Sequence, residues 1–187
     1  VVNVLGTAVI DYLANGRVQT RNGNRHPTAA PHGAFRCLDD PTSVNSPDRW
    51  VAIACRTEEQ WRALCRAFGH PEVAEDPRFA TAAARKANED ELEALVSSWT
   101  RDRKAEDVME LLQQHGVPCG VVQNAQDLLE RDPHMKARGY YQYLDHPETG
   151  RAAYDGPIAR LSETPGYHRR PAPLFGEHTY EVCTRIL

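Results

Sequence analysis

The chain has 187 residues, 41% hydrophobic and 26% charged, which is enough for one sizeable domain with a real core. Its 22 Lys and Arg against 26 Asp and Glu leave a net charge of -4. That mixed, mildly acidic surface lacks the basic footprint of a nucleic-acid partner or of a protein that binds anionic membranes. No apolar run approaches the roughly 20 residues that span a bilayer, and no secretory signal is visible. The first residue is Val1 rather than Met, in what reads as mid-helix, so a cut in a longer chain is expected. The cysteines, Cys37, Cys55, Cys65, Cys119 and Cys183, form no CxxC pair and hold no ligand spacing with histidine. They read as reduced thiols in a cytoplasmic compartment, with neither a disulfide framework nor a metal site.

In chain order, Val1, Val4, Leu5, Ala8, Val9, Tyr12 and Leu13 repeat at helical spacing, and Asn15-Gly16 ends that helix. Arg17 to His32 shows no period and contains Gly23, Pro27 and Pro31; a loop of this length is often functional. Gly33 to Leu38 and Arg49 to Cys55 (RWVAIAC) read as antiparallel strands around a turn over Asp39 to Asp48. Thr57-Glu58-Glu59-Gln60 is a capping box opening a helix that carries Trp61, Leu64, Cys65 and Phe68 on one face. A short helical turn follows at Pro71 to Asp76, then helices over Thr81–Ala87, Asn88–Trp99 and Lys104–His115, the last stopped by Gly116. Val117 to Val122 is extended, Ala125 to Glu130 a short helix, and Asp132 to Gly139 irregular with a helical turn. Tyr140 to His146 and Arg151 to Tyr154 form a hairpin pair around Pro147-Glu148-Thr149-Gly150. Ile158 to Ser162 is expected as a last strand and Glu177 to Leu187 as a terminal helix.

The pattern is α+β: a small antiparallel sheet packed with three or four helices. Three segments are expected, a helix and loop over 1–34, an α+β domain over 35–155, and an arm over 156–187.

No nucleophile elbow, phosphate loop or dinucleotide fingerprint is present. The densest polar cluster is Arg21-Asn22-Gly23-Asn24-Arg25-His26-Pro27, whose Arg, Asn and His suit phosphate or carbonyl groups, although composition alone favours a solvated linker. Pro31-His32-Gly33 allows close approach of a ligand, or is a strand-entry turn. Cys119 between two glycines reads as a tight turn, since no cationic neighbour activates the thiol. Glu177-His178 opens a helix, where Glu suits the macrodipole, and His134 reads as a surface histidine.

Six blocks carry a resemblance. They are RNGNRHPTAAPHGAF (Arg21 to Phe35), RWVAIACRTEEQW (Arg49 to Trp61), EDPRFATAAAR (Glu75 to Arg85), GVPCGV (Gly116 to Val121), DPHMKARG (Asp132 to Gly139) and APLFGEHTYEV (Ala172 to Val182). In order and spacing they resemble the family III coenzyme A transferases, a family that includes formyl-CoA and carnitine-CoA transferases and α-methylacyl-CoA racemases.

The resemblance implies a Rossmann-like large domain and a small α+β domain, in chains that interlock as a homodimer. It implies a catalytic aspartate in the first half of a full-length member, and no residue here matches the motif around it, so none is assigned as catalytic. The region His26 to Gly33 stands where some members have a glycine-rich loop, and reads HPTAAPHG. Asn24, Arg25, His26, His32 and Gly33 are the expected substrate-binding residues. The substrates would be an acyl-CoA and a carboxylic acid, with no metal or redox cofactor. The alternatives are a racemase of the same family, or a non-catalytic dimerisation or interaction module.

Overall fold

The computed structural model describes residues 5–43 and 46–186. Val1 and Val4 of the expected first helix, Leu187 of the last, and two residues of the turn over Asp39 to Asp48 lie outside the described residues. The chain forms two compact units, 1–122 and 123–187.

The first unit begins with α1 (Gly6–Asn15), which buries none of its side chains. After a long aperiodic stretch come β1 (His32–Arg36), β2 (Trp50–Ala54), α2 (Glu58–Ala67), a 3-10 turn (Pro71–Glu75), α3 (Ala82–Ala87), α4 (Glu89–Thr100), α5 (Ala105–Gln114) and β3 (Cys119–Val121). The sheet is antiparallel in the order β1-β2-β3; His32 faces Ala54, and Ile53 faces Cys119.

Alternation in β2 sends Val51 and Ile53 inward and leaves Trp50 and Ala52 exposed. Phe35, Val51 and Ile53 join Trp61, Leu64 and Cys65 of α2, Leu92 and Val96 of α4, and Val108 and Leu112 of α5 in one continuous core. The α+β reading is therefore correct.

Local chemistry sets the helix ends. The Thr57 hydroxyl accepts from the Gln60 amide at 3.3 Å, and the Gln60 side chain accepts from the Thr57 amide at 3.3 Å, which completes the expected capping box. Thr81 caps α3 in the same way, accepting from the Ala84 amide at 3.1 Å. Gly116 follows α5 at a φ of 75°, a left-handed conformation that side chains resist. Thr100 ties α4 to the sheet, its buried hydroxyl donating to the Arg36 carbonyl at 2.8 Å.

The second unit holds a π-type turn (Asp127–Arg131), α6 (Pro133–Arg138), the hairpin β4 (Tyr141–His146) and β5 (Gly150–Asp155), a short α7 (Thr179–Glu181) and a π-type turn (Val182–Ile186). Asp132 caps α6 through the His134 and Met135 amides. Gly156 closes the hairpin: a Cβ there would stand 2.3 Å from the Tyr140 carbonyl oxygen.

The expected strand over Ile158 to Ser162 does not form. It pairs with no strand among the described residues, and Ile158 and Leu161 stay exposed.

Candidate functional site

The loop after α1 is not a solvated linker along its second half. Residues 22–31 form neither helix nor strand, yet Ala29, Ala30 and Pro31 are buried. Five contacts fasten this segment to α3 and α4. The Arg25 guanidinium donates to both carboxylate oxygens of Glu93 at 2.9 and 2.6 Å and also pairs with Asp90. Glu89 stands 3.8 Å from the same guanidinium. The Lys86 ammonium donates to the His26 carbonyl at 2.8 Å. Arg85, buried in α3, donates to the Ala30 carbonyl at 2.8 Å. The loop thereby exchanges water for charge-assisted hydrogen bonds.

Beside this loop the open face of the sheet forms one wall of a cleft of about 990 Å³. Ala34, Ala52 and Ala54 line it from β1 and β2, and Cys119 and Gly120 from β3. Their small side chains leave the space that larger residues would fill. Asn24, His32 and Gln113 bring polar groups to it, and Gln113 is anchored by donating to the Cys119 carbonyl at 2.8 Å.

Of the expected binding residues, Asn24, Arg25, His32 and Gly33 line this cleft. His26 does not line it; its ring packs against that of His32, with centroids 5.3 Å apart. Arg25 reaches the cleft with its guanidinium already engaged, and the hydrogen bonds it donates to Glu93 and Asp90 hold its pKa above the ordinary arginine value.

The sequence reading missed Gln113 and the small-residue floor. For the floor a signal exists in RWVAIAC, where Ala52 and Ala54 alternate with Val51 and Ile53. Nothing in the sequence marks Gln113.

Cys119 lies half-buried in β3, and burial pushes its thiol up to about 12, so it stays protonated near neutral pH. Cys55 and Cys65 are likewise pushed up to about 12 by burial. All five cysteines are free thiols. Glu177 caps its own turn by accepting from the Leu174 amide at 2.7 Å. Among the described residues no three His, Cys, Asp or Glu side chains gather as a metal ion would need. No helix among them is long and apolar enough to cross a membrane.

Residues 1–179 match the family described as CoA-transferase family III. The chain is 32% identical, over all of its length, to a succinyl-CoA–D-citramalate CoA-transferase of Chloroflexus aurantiacus, and covers 44% of that protein. It is 34% identical to a probable CoA-transferase of Mycobacterium tuberculosis, covering 22% of it. The chain thus spans less than half the length of these curated relatives. Its fold is similar to the crystal structure of a CAIB/BAIF family protein from Brucella suis, with a TM-score of 0.78 and 29% identity over 99% of this chain and 45% of that one. With the family pattern matched along nearly its whole length, the chain belongs to CoA-transferase family III.

Proposed function

We propose that this chain is the C-terminal part of an acyl-CoA:carboxylate CoA-transferase, and that its cleft borders the acyl end of the bound thioester. The observation that carries the reading is the lining of the cleft. Asn24, His32 and Gln113 reach it, and no aspartate or glutamate lines it among the described residues. A carboxylate nucleophile would then come from a part of the enzyme outside this chain. The names of relatives support the substrate class, since they pair CoA with carboxylic acids such as succinate and glutarate.

The chemistry is nucleophilic catalysis by a carboxylate. The carboxylate attacks the donor thioester, giving a mixed anhydride and free CoA thiolate. The thiolate attacks the enzyme's carbonyl in that anhydride, forming an enzyme-CoA thioester and releasing the donor acid. The acceptor carboxylate attacks this thioester, and the thiolate it expels takes the acceptor acyl group from the new anhydride. The enzyme carboxylate is thereby restored. This scheme uses no metal and no redox cofactor. In it Asn24, His32 and Gly33 border the substrate, while Arg25 and His26 stand in the fastened loop. We place the enzyme in the cytoplasm, where its free thiols remain reduced, and as a homodimer.

Exchange of labelled CoA between two acids tests the proposal. The intact protein is expected to catalyse it and this chain alone is not. Asn24→Ala and His26→Ala in the intact protein are expected to lower turnover more than melting temperature. Exchange by the chain alone above background would place the nucleophile within it, against the proposal.

A further inference from the structure

His32 is held in one orientation by a bond that also fixes its proton. Its Nδ1 lies 2.7 Å from the Asn24 carbonyl oxygen. A carbonyl oxygen only accepts, so the proton of this bond sits on Nδ1. In the neutral ring Nε2 then carries a lone pair, and it has no hydrogen-bond partner among the described residues. The neighbouring His26 has the opposite arrangement. Its Nδ1 accepts from the Thr28 amide at 3.2 Å, so that nitrogen carries no proton.

The charge around His32 adds a second observation. Arg25 is the only cationic side chain lining the cleft among the described residues, and Glu93, Asp90 and Glu89 surround its guanidinium. Among the described residues, then, the cleft offers no unpaired cation to a carboxylate on the tail of a bound acyl group. The floor of Ala34, Ala52 and Ala54 is apolar, which suits carbon rather than charge.

Resting on the transferase reading above, we propose that His32 determines substrate specificity. It accepts a hydrogen bond at Nε2 from a hydroxyl on an uncharged acyl chain, so the enzyme prefers hydroxylated monocarboxylic acids over dicarboxylic ones. Asn24 takes part through its backbone, because its carbonyl selects the tautomer. A hydroxyl gains by pairing with a fixed acceptor that an unsubstituted chain would leave unpaired in the cleft.

The test uses the intact protein and three acceptor acids of equal chain length: butyrate, 3-hydroxybutyrate and succinate. The expected order of kcat/KM is 3-hydroxybutyrate, butyrate, succinate. Preference for the hydroxyl over the plain chain should be roughly three- to tenfold, the worth of one neutral hydrogen bond. His32→Phe, which keeps a ring and loses the acceptor, should bring that ratio to about one, and His32→Gln should restore part of it. Succinate as the best acceptor, or a ratio unmoved in His32→Phe, would overturn the proposal.

A second measurement does not depend on turnover. Two-bond nitrogen-proton NMR correlation at neutral pH should report His32 with its proton on Nδ1, and 3-hydroxybutyrate should shift the Nε2 resonance more than succinate does. A proton on Nε2 alone, a doubly protonated ring, or a larger response to succinate would count against His32 as the acceptor. Transfer to none of the acids, with the NMR response intact, would refute the transferase reading and leave the binding role of His32 standing.

Discussion

Arg85 is the buried side chain that ties the loop to α2 and α3. Its side chain is 2% exposed, inside a helix of mostly alanine. It donates to both carboxylate oxygens of Glu58 at 2.9 and 3.0 Å, and to the carbonyls of Phe79 and Ala30. Its guanidinium also lies 5.4 Å from the centre of the Trp61 ring. The planar fork supplies all these donors at once, and lysine cannot reproduce that geometry. Removing one partner of such a pair strands the others, so Arg85→Ala is expected to cost about 3–5 kcal/mol by urea titration. Arg85→Lys should recover little of it.

The hydrogen bonds from Arg85 also hold the Glu58 carboxyl below its ordinary pKa of 4.5. A depressed carboxylate contributes stability that is complete above the ordinary value and lost as pH falls through the folded one. Urea midpoints measured from neutral pH down to about pH 3 should decline through this range. Glu58→Gln should remove its share of the decline. The remainder should persist, because Asp11, Asp76, Asp132 and Glu59 also lie below their ordinary values.

At the scale of elements, α2 connects the sheet to the other helices. It buries Trp61, Ala63, Leu64 and Cys65 on one face and turns Glu59 and Arg62 outward. Trp61 is fully buried and meets the Phe79 ring edge-on, with centroids 6.4 Å apart. Its indole N–H has no hydrogen-bond partner among the described residues, so packing holds it. Trp61→Ala should therefore cost about 3–5 kcal/mol in denaturant unfolding, from lost burial and the cavity left behind. A loss below about 1 kcal/mol would contradict the core position described here.

At the scale of the whole molecule, both ends of the chain carry apolar side chains in water. In α1, Ile10 and Leu13 are 66% and 76% exposed. Toward the other end Phe175, Tyr180 and Ile186 are equally open to solvent. Each large apolar side chain left exposed forgoes about 1.5–3 kcal/mol of burial. Exposed apolar surface of this kind drives association, and the homodimer proposed above would give it a partner. Light scattering on the chain alone at high micromolar concentration is expected to report a mass above the monomer. A clean monomer would contradict this.

The sequence by itself determined what depends on neighbours a few residues apart. Thr57 and Gln60 are three positions apart, and that spacing fixes the start of α2. Alternation fixes the inward face of β2, and the ordered blocks of motifs identify the family. The grouping of the candidate residues was legible in part: Asn24, Arg25, His32 and Gly33 line one cleft, while His26 packs against His32 outside it. Tertiary structure alone decided what those residues can do there. Arg25 reads as a free anion binder until the fold brings Glu93 to it from 68 positions away. Arg85 reads as one more residue of an alanine-rich helix until it meets Ala30, 55 positions away. The tautomer of His32 depends on a carbonyl eight residues back, across an aperiodic loop. Local hydrogen bonds and side-chain periods repeat along the chain and can be read there. Charge pairing and proton placement depend on distances in space, which the folded chain sets.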